Sequence, residues 1–207
     1  MAFIDIIPFP EIDADVRAMY ERQQAHYGFV PDYAKVFCYR PHIMQLWAQL
    51  LAGIKRNMDK RRFELVTLVA ATELRSTLCS LAHGRALTEF LAQEDVQTLA
   101  KGGRPESLSD ADAAMVTFAR KVARDASAIT REDVQALKEH GFTDAEVFDI
   151  VATAAARAFF TKVVESLGVG SDAPLRALDP ELRETLSVGR PPRFVEPETL
   201  APAEPVS

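Results

Sequence analysis

Apolar residues in this 207-residue chain recur with a period near 3.6, and no segment shows the sustained alternation that is typical of strands. Glycine and proline divide the chain into helical segments. A first amphipathic segment spans residues 11–27 and is followed by Gly28, whereas Pro41 suits the first turn of a later helix. The pattern therefore predicts an all-α fold.

Residues that favour helix starts stand where this periodicity predicts them. Asp59 can cap a helix that runs to Glu73, and Ser76 or Thr77 can cap the next one, which reaches about Leu91. Three further helices are predicted to start at caps with an acidic residue three positions later: Ser109, Thr130 and Thr143. The last long helix runs from residue 144 to about 167, and Gly168 ends it.

The segment after Pro41 is rich in large apolar side chains at helical spacing. They are Ile43, Met44, Leu46, Trp47, Leu50, Leu51 and Ile54. We interpret this segment as a core helix, with Trp47 and its neighbouring leucines in the core or at a subunit interface.

The length suits one compact domain, which we place at residues 1–178. Half of the twelve prolines lie in the remaining segment, residues 179–207, among glutamates and small polar residues. This composition predicts a C-terminal tail without a core of its own, either disordered or extended over a neighbouring subunit.

Charge and composition exclude several classes of protein. With 24 basic and 30 acidic side chains, the net charge of -6 argues against a nucleic-acid partner. No apolar stretch is long enough to span a membrane, and the first residues lack the charge pattern of a secretory leader, so we expect a cytoplasmic protein without a membrane partner. Two cysteines cannot form a disulfide framework, which predicts that Cys38 and Cys79 are reduced thiols.

Four residues whose side chains can take part in catalysis lie within twenty positions of each other in the most apolar part of the chain. Glu64 precedes Ser76, and Cys79 and His83 follow at a spacing of four residues, which places them on one face of a helix. With Ser76 as the N-cap, Cys79 is the third helical residue, where free backbone N–H groups and the helix dipole favour a thiolate. A thiol beside an imidazole that a carboxylate orients is the usual arrangement of an activated cysteine. We expect burial to raise the pKa of Glu64 and make it a better base.

Each of these residues also has a purely structural interpretation. Cys79 can be a small buried apolar residue, His83 a packed side chain, and Glu64 the partner of Lys60 or Arg61. Cys79, His83 and Glu64 would supply three zinc ligands, but no fourth lies close in sequence, so we expect neither a metal nor a cofactor. Glu73 either pairs with Arg75 or another nearby cation, or lines the same pocket as Ser76 and Leu78.

The run Glu64-x11-Ser76-x2-Cys79-x3-His83 resembles the alkylhydroperoxidase D-like branch of the carboxymuconolactone decarboxylase family. Redox-active members of that family carry Glu-x11-Cys-x2-Cys-x3-His. The segment from Gly28 to Asp32 with Arg40-Pro41, the segment 137–148 and the segment 167–169 are similar to the peroxidase-related members. The resemblance covers about residues 10–175.

The resemblance implies an alkylhydroperoxidase D-like bundle that forms a homo-oligomer, a trimer or hexamer, and acts on a small-molecule substrate. It assigns Cys79 as the residue that attacks a peroxide, with His83 and Glu64 as a proton relay. The position of the resolving cysteine holds Ser76, and Leu78 stands where a histidine is common. An oxidised Cys79 would therefore need an external thiol reductant, or Cys38 as the other thiol of the chain.

Three functional hypotheses remain open on these residues. The first is a thiol-dependent peroxidase or related redox enzyme that uses a single cysteine. The second is acid–base chemistry in the same pocket, as in a decarboxylase or isomerase of a small carboxylic acid. The third is a helical binding module without catalysis.

Overall fold

The computed structural model describes residues 2–201, and that part of the chain forms ten α-helices and two short strands. The helices are α1 (Ala14–Tyr27), α2 (Asp32–Lys35), α3 (Pro41–Lys55), α4 (Lys60–Glu73), α5 (Thr77–Leu87), α6 (Gln93–Ala100), α7 (Asp110–Arg124), α8 (Arg131–Glu139), α9 (Asp144–Ser166) and α10 (Pro180–Leu186). The strands are β1 (Ser171–Asp172) and β2 (Phe194–Val195), which pair in parallel. The predicted all-α class is confirmed. No helix in this part of the chain is long and apolar enough to cross a membrane.

Helix α4 lies at the centre of the bundle and packs against α5, α7 and α9. Its residues from Phe63 to Thr72 are all buried. A helix that is buried on every side belongs in the middle of a core rather than on its surface. Any polar side chain in this part of α4 therefore needs a hydrogen-bond or charge partner inside the protein.

The predicted caps are present at the starts of these helices. Asp59 accepts a hydrogen bond from the backbone N–H of Arg62, and both Thr130 and Thr143 form reciprocal capping boxes. Helix α6 was not predicted, and the residue at its N-cap, Ala92, makes no side-chain capping hydrogen bond. Helix α5 ends at Leu87, four residues before the predicted end.

Helix α3 was predicted to be a core helix, and this prediction is wrong. Only Met44 and Ile54 are buried, whereas Leu46 and Leu50 are 58% and 54% exposed. The helix lies at the edge of the bundle, where one face packs against α1 and α9 and the other stays uncovered. The homo-oligomer implied by the resemblance stays a prediction, which these exposed leucines favour.

The C-terminal segment also differs from the expectation of a tail without a core. Leu182 and Leu186 of α10 are completely buried against the bundle, where α10 packs on α5 and α6. Beyond α10, strand β2 pairs with β1, and the backbone N–H of Leu200 donates to Gln24. The apolar residues of this segment therefore complete the core of the same chain, as far as Leu200. The last six residues, which also belong to the predicted tail, lie outside the described part.

The packing of α10 on α5 leaves no space for a side chain at Gly84. A Cβ atom at Gly84 would lie 2.5 Å from the side chain of Leu186, whereas a Cβ at Gly53 on exposed α3 would meet nothing within 4 Å. We expect Gly84→Ala to destabilise the protein by about 1–3 kcal/mol through overpacking. The same change at Gly53 should stabilise it by about 0.4–1 kcal/mol because the unfolded chain loses freedom. Urea unfolding of both variants measures this, and shifts of equal sign would contradict the packing of α10.

A pair of carboxyl groups connects β1 to the start of α2. Asp172 accepts a hydrogen bond from the backbone N–H of Asp32, and the Asp32 carboxylate accepts one from the N–H of Gly170. Burial, with the neighbouring Asp32 charge adding to it, raises the pKa of Asp172 to about 6. Because the folded state holds this proton more tightly than the unfolded state does, the associated stability is present below pH 3.8 and is lost as the pH rises through 6.

Asp172→Asn should remove this pH dependence. The amide retains an acceptor oxygen for the Asp32 N–H but never becomes charged. We expect the variant to be more stable than the natural chain at pH 7.5 by about 1–2 kcal/mol, and nearly equal to it at pH 4. Urea unfolding at the two pH values measures the difference, and an unchanged pH profile would show that Asp172 does not carry it.

Candidate functional site

The site lies where α4 packs against both α5 and α9. The two adjacent helices are joined by a turn in which Arg75 adopts a left-handed conformation with φ 56°, and the N–H of Ser76 bonds back to Ala71. Ser76 is the N-cap of α5, as predicted, and its hydroxyl accepts a hydrogen bond from the backbone N–H of Cys79. Cys79 is thus the third residue of α5.

Glu64 on α4 and His83 on α5 form a direct hydrogen bond of 2.7 Å between Oε2 and Nδ1. Glu64 is buried, and the His83 side chain is 19% exposed. Neither Lys60 nor Arg61 pairs with Glu64, because Lys60 binds Glu89 and Arg61 binds Asp112. The surface interpretation of Glu64 is therefore wrong.

The pKa of Glu64 moves in the direction opposite to the expectation. Burial alone would raise it, but the hydrogen bond and charge of His83, with smaller effects of Lys55 and Arg157, hold the pKa of Glu64 below its ordinary value. Burial and then the nearby Arg157 charge lower the pKa of His83, although Glu64 opposes both. At neutral pH the carboxylate is therefore ionised and the imidazole is neutral.

This protonation pattern fixes the tautomer of His83. An ionised carboxylate only accepts hydrogen bonds, so Nδ1 must carry the proton and donate it to Glu64. The other ring nitrogen, Nε2, then keeps its lone pair and can accept a proton. The Glu64–His83 pair therefore has the arrangement of a general base whose orientation is fixed by a carboxylate.

Cys79 faces helix α9, and its side chain is 2% exposed. The sulfur accepts hydrogen bonds from the guanidinium Nη1 of Arg157 at 3.6 Å and from the hydroxyl of Thr161 at 3.5 Å. Cys79 thus has a cationic donor and a neutral donor beside its sulfur.

Arg157 was missed in the sequence and is the main addition that the structure makes to the site. It is 3% exposed, and its guanidinium lies over the rings of Trp47 and Phe160, which stack on each other. Its Nε has no hydrogen-bond partner within the described residues. The feature of the sequence that could have indicated Arg157 is its position as a single cation in the alanine-rich, apolar part of α9.

The other residues predicted for the pocket have separate partners. The Ser76 hydroxyl donates to Glu165 on α9 at 2.7 Å, and Leu78 is buried beside residues 190–193 of the C-terminal segment. Glu73 is outside the site, because it pairs with Arg120 and Arg124 on α7 rather than with Arg75. Ser76 and Leu78 therefore border the helix start of Cys79, whereas Glu73 does not.

Cys38 lies in a different environment. It is buried beside Tyr20, and burial raises the pKa of the Tyr20 phenol, with the interaction with Cys38 adding to that effect. Both cysteines are free thiols. The hydrogen-bond partners of Cys79 are Ser76, at its backbone N–H, and Arg157 and Thr161, at its sulfur. Among residues 2–201, no group of three or more His, Cys, Asp or Glu side chains is placed to hold a metal ion.

Comparison with known proteins identifies the fold. The sequence matches no protein-family model and no curated protein. Among solved structures, the chain is similar to an uncharacterized peroxidase-related protein from Ralstonia eutropha, described as an alkylhydroperoxidase AhpD core, with a TM-score of 0.73 and 20% identity over 91% of this chain and 98% of that one. A peroxidase-related protein from Silicibacter sp. gives a TM-score of 0.71 and 18% identity over 85% and 94% of the two chains.

A third similar structure is the debrominase Bmp8 in complex with 2,3,4-tribromopyrrole. Its TM-score is 0.68 at 13% identity, over 82% of this chain and 91% of that one. The predicted alkylhydroperoxidase D-like fold is therefore confirmed.

Proposed function

We propose that the protein is a thiol-dependent peroxidase of the alkylhydroperoxidase D-like group that reacts through a single cysteine, Cys79. The observation that carries this proposal is the 2.7 Å hydrogen bond between Glu64 and His83, together with the position of the Cys79 thiol in the first turn of the helix that carries His83. His83 follows Cys79 by one helical turn, so both lie on one face of α5. The fold of the peroxidase-related neighbours supports the same interpretation.

The first step is deprotonation of the thiol. Neutral His83 accepts the proton of Cys79 at Nε2, and ionised Glu64 stabilises the imidazolium that results. Arg157 and Thr161 hold the sulfur while it is charged. A neutral His83 at neutral pH is the form that this step requires.

The second step is attack on the hydroperoxide. The thiolate sulfur bonds to the terminal peroxide oxygen, the O–O bond breaks, and the leaving alkoxide takes the proton from His83 to become an alcohol. Sulfur is oxidised by two electrons to a sulfenic acid, and the peroxide is reduced by two. Because Cys79 is almost completely buried, we expect small hydroperoxides to react faster than bulky ones.

The sulfenic acid is then reduced by an external thiol. Ser76 cannot form a disulfide, and Cys38 is buried beside Tyr20. Two equivalents of the external thiol return Cys79 to its reduced form, with release of a disulfide and water. The protein thus resembles a peroxidase that has lost its internal resolving thiol.

The test is consumption of hydrogen peroxide and of tert-butyl hydroperoxide by the purified protein with dithiothreitol as reductant. Mass spectrometry of Cys79 after one equivalent of peroxide should show a dimedone adduct of the sulfenic acid, with Cys38 unchanged. A Cys79 thiol that stays unmodified after excess peroxide would refute the proposal.

Acid–base chemistry without redox turnover is the second candidate. It is favoured by the fact that Glu64 and His83 bond to each other, while the sulfur of Cys79 bonds to residues of α9. In that case a small carboxylic acid would be the substrate, and Cys79→Ser would retain most of the turnover. Loss of turnover in Cys79→Ser would instead favour the thiol mechanism.

A further inference from the structure

We propose that Arg157 and Thr161 form an anion site around the sulfur of Cys79, which holds the thiolate before the reaction and the sulfenate after it. The part that concerns the sulfenate rests on the proposed function, whereas the part that concerns the thiolate does not. Arg157 and Thr161 are one turn apart on α9 and therefore approach the sulfur from the same helix.

Arg157 carries a positive charge inside the protein. A guanidinium that is 3% exposed costs free energy unless an anion compensates it. No ion pair between Arg157 and a carboxylate is formed within residues 2–201, and Glu64, which lies near enough to feel its charge, is bonded to His83. The group to which Arg157 does donate is the Cys79 sulfur, so the thiolate is the anion that the guanidinium can pair with.

The donor groups of Arg157 outnumber the acceptors around it. Its buried Nε–H has no partner among residues 2–201, although nearly all buried polar groups in proteins have one. The rings of Trp47 and Phe160 stabilise its positive charge through their faces but accept no conventional hydrogen bond. The guanidinium can therefore bind one more acceptor than the reduced protein provides.

Oxidation of Cys79 adds an oxygen atom to the sulfur. The sulfenate oxygen is a stronger acceptor than a thiol sulfur, and the Thr161 hydroxyl and the Arg157 guanidinium are the donors beside it. Over-oxidation requires the sulfenate to attack a second peroxide, and hydrogen bonds to the sulfenate lower its nucleophilicity. The site would thus protect the oxidised cysteine in a chain that has Ser76 in place of a resolving thiol.

The first arm of the test measures alkylation and needs no peroxide. In a Cys38→Ser background, iodoacetamide should modify Cys79 of Arg157→Gln about tenfold more slowly at pH 7 than in the background protein. The pH profile of the rate should move to higher pH. Arg157→Lys, which keeps the charge, should retain most of the rate, and a loss of packing alone would not produce this rescue.

The second arm measures oxidation after peroxide treatment. The ratio of sulfinic acid to dimedone-trapped sulfenic acid at Cys79 should rise severalfold in Thr161→Val, which keeps the volume and removes the hydroxyl. Thr161→Ser should behave like the unmodified chain. Thermal unfolding identifies variants that do not fold, and if Arg157→Gln is one of them, Arg157→Lys and Thr161→Val decide the outcome.

The outcomes separate the two proposals. If Cys79 never forms a sulfenic acid, the proposed peroxidase function fails, and the alkylation arm still decides the thiolate part of the anion site. If Cys79 is oxidised but neither the alkylation rate nor the sulfinic fraction changes in the folded variants, the anion site is overturned and the peroxidase function stands.

Discussion

Cys79→Ser is expected to lower kcat/KM for hydrogen peroxide by at least about 1000-fold, because an alcohol is almost fully protonated near neutral pH and is a poor nucleophile. The substitution replaces one atom and leaves the hydrogen bond from the backbone N–H of residue 79 to Ser76 in place. The fold should therefore survive. Peroxide consumption with dithiothreitol at pH 7 measures the effect, and circular dichroism checks the helices.

Cys38→Ser is the matched control. It also replaces a buried thiol with a hydroxyl, but Cys38 lies beside Tyr20 and away from the Glu64–His83 pair. We expect its kcat/KM to stay within about twofold of the unsubstituted chain, with some loss of stability from the polar group in the core. Equal losses of activity in both variants would contradict a single attacking cysteine, and an active Cys79→Ser would favour acid–base chemistry.

The helices could be predicted where their starts carry local information. Asp59, Ser76, Thr130 and Thr143 each cap a helix through a hydrogen bond that spans three residues, so the sequence contains both partners. Helix α6 has no such cap, and its start could not be predicted from the sequence. The role of the C-terminal segment depends on Leu186 packing against Gly84, about a hundred residues earlier, which no local pattern reports.

In the candidate site, too, local relations between residues could be predicted and contacts between distant segments could not. Cys79 and His83 are four residues apart on one helix, so their common face followed from helical geometry. Arg157 contacts Cys79 across 78 residues of sequence, and the packing of both α5 and α9 on α4 brings the two together. Burial alone predicts a raised pKa for Glu64, and that prediction is wrong because the hydrogen bond and charge of His83, with the charges of Lys55 and Arg157, together outweigh burial.

Glu64→Gln is expected to lower kcat about 100-fold to 1000-fold, the usual contribution of a positioned acid–base group. The amide keeps the size of the side chain but removes the charge that stabilises the imidazolium and fixes the tautomer of His83. Glu73→Gln is the matched control, because Glu73 is also on α4, is mostly buried and binds two arginines of α7 rather than the site. It should lose stability while kcat stays within about twofold.

The titration of His83 distinguishes a lost proton relay from a distorted site. Burial and Arg157 lower the pKa of His83 and Glu64 raises it, so removal of the Glu64 charge must lower the pKa of His83 further. The imidazole shifts in NMR spectra should therefore titrate at lower pH in Glu64→Gln than in the unsubstituted chain, and at an unchanged pH in Glu73→Gln. A higher pKa of His83 in Glu64→Gln would mean that the imidazole had moved into solvent, and the loss of kcat would then report a collapsed site rather than a missing carboxylate.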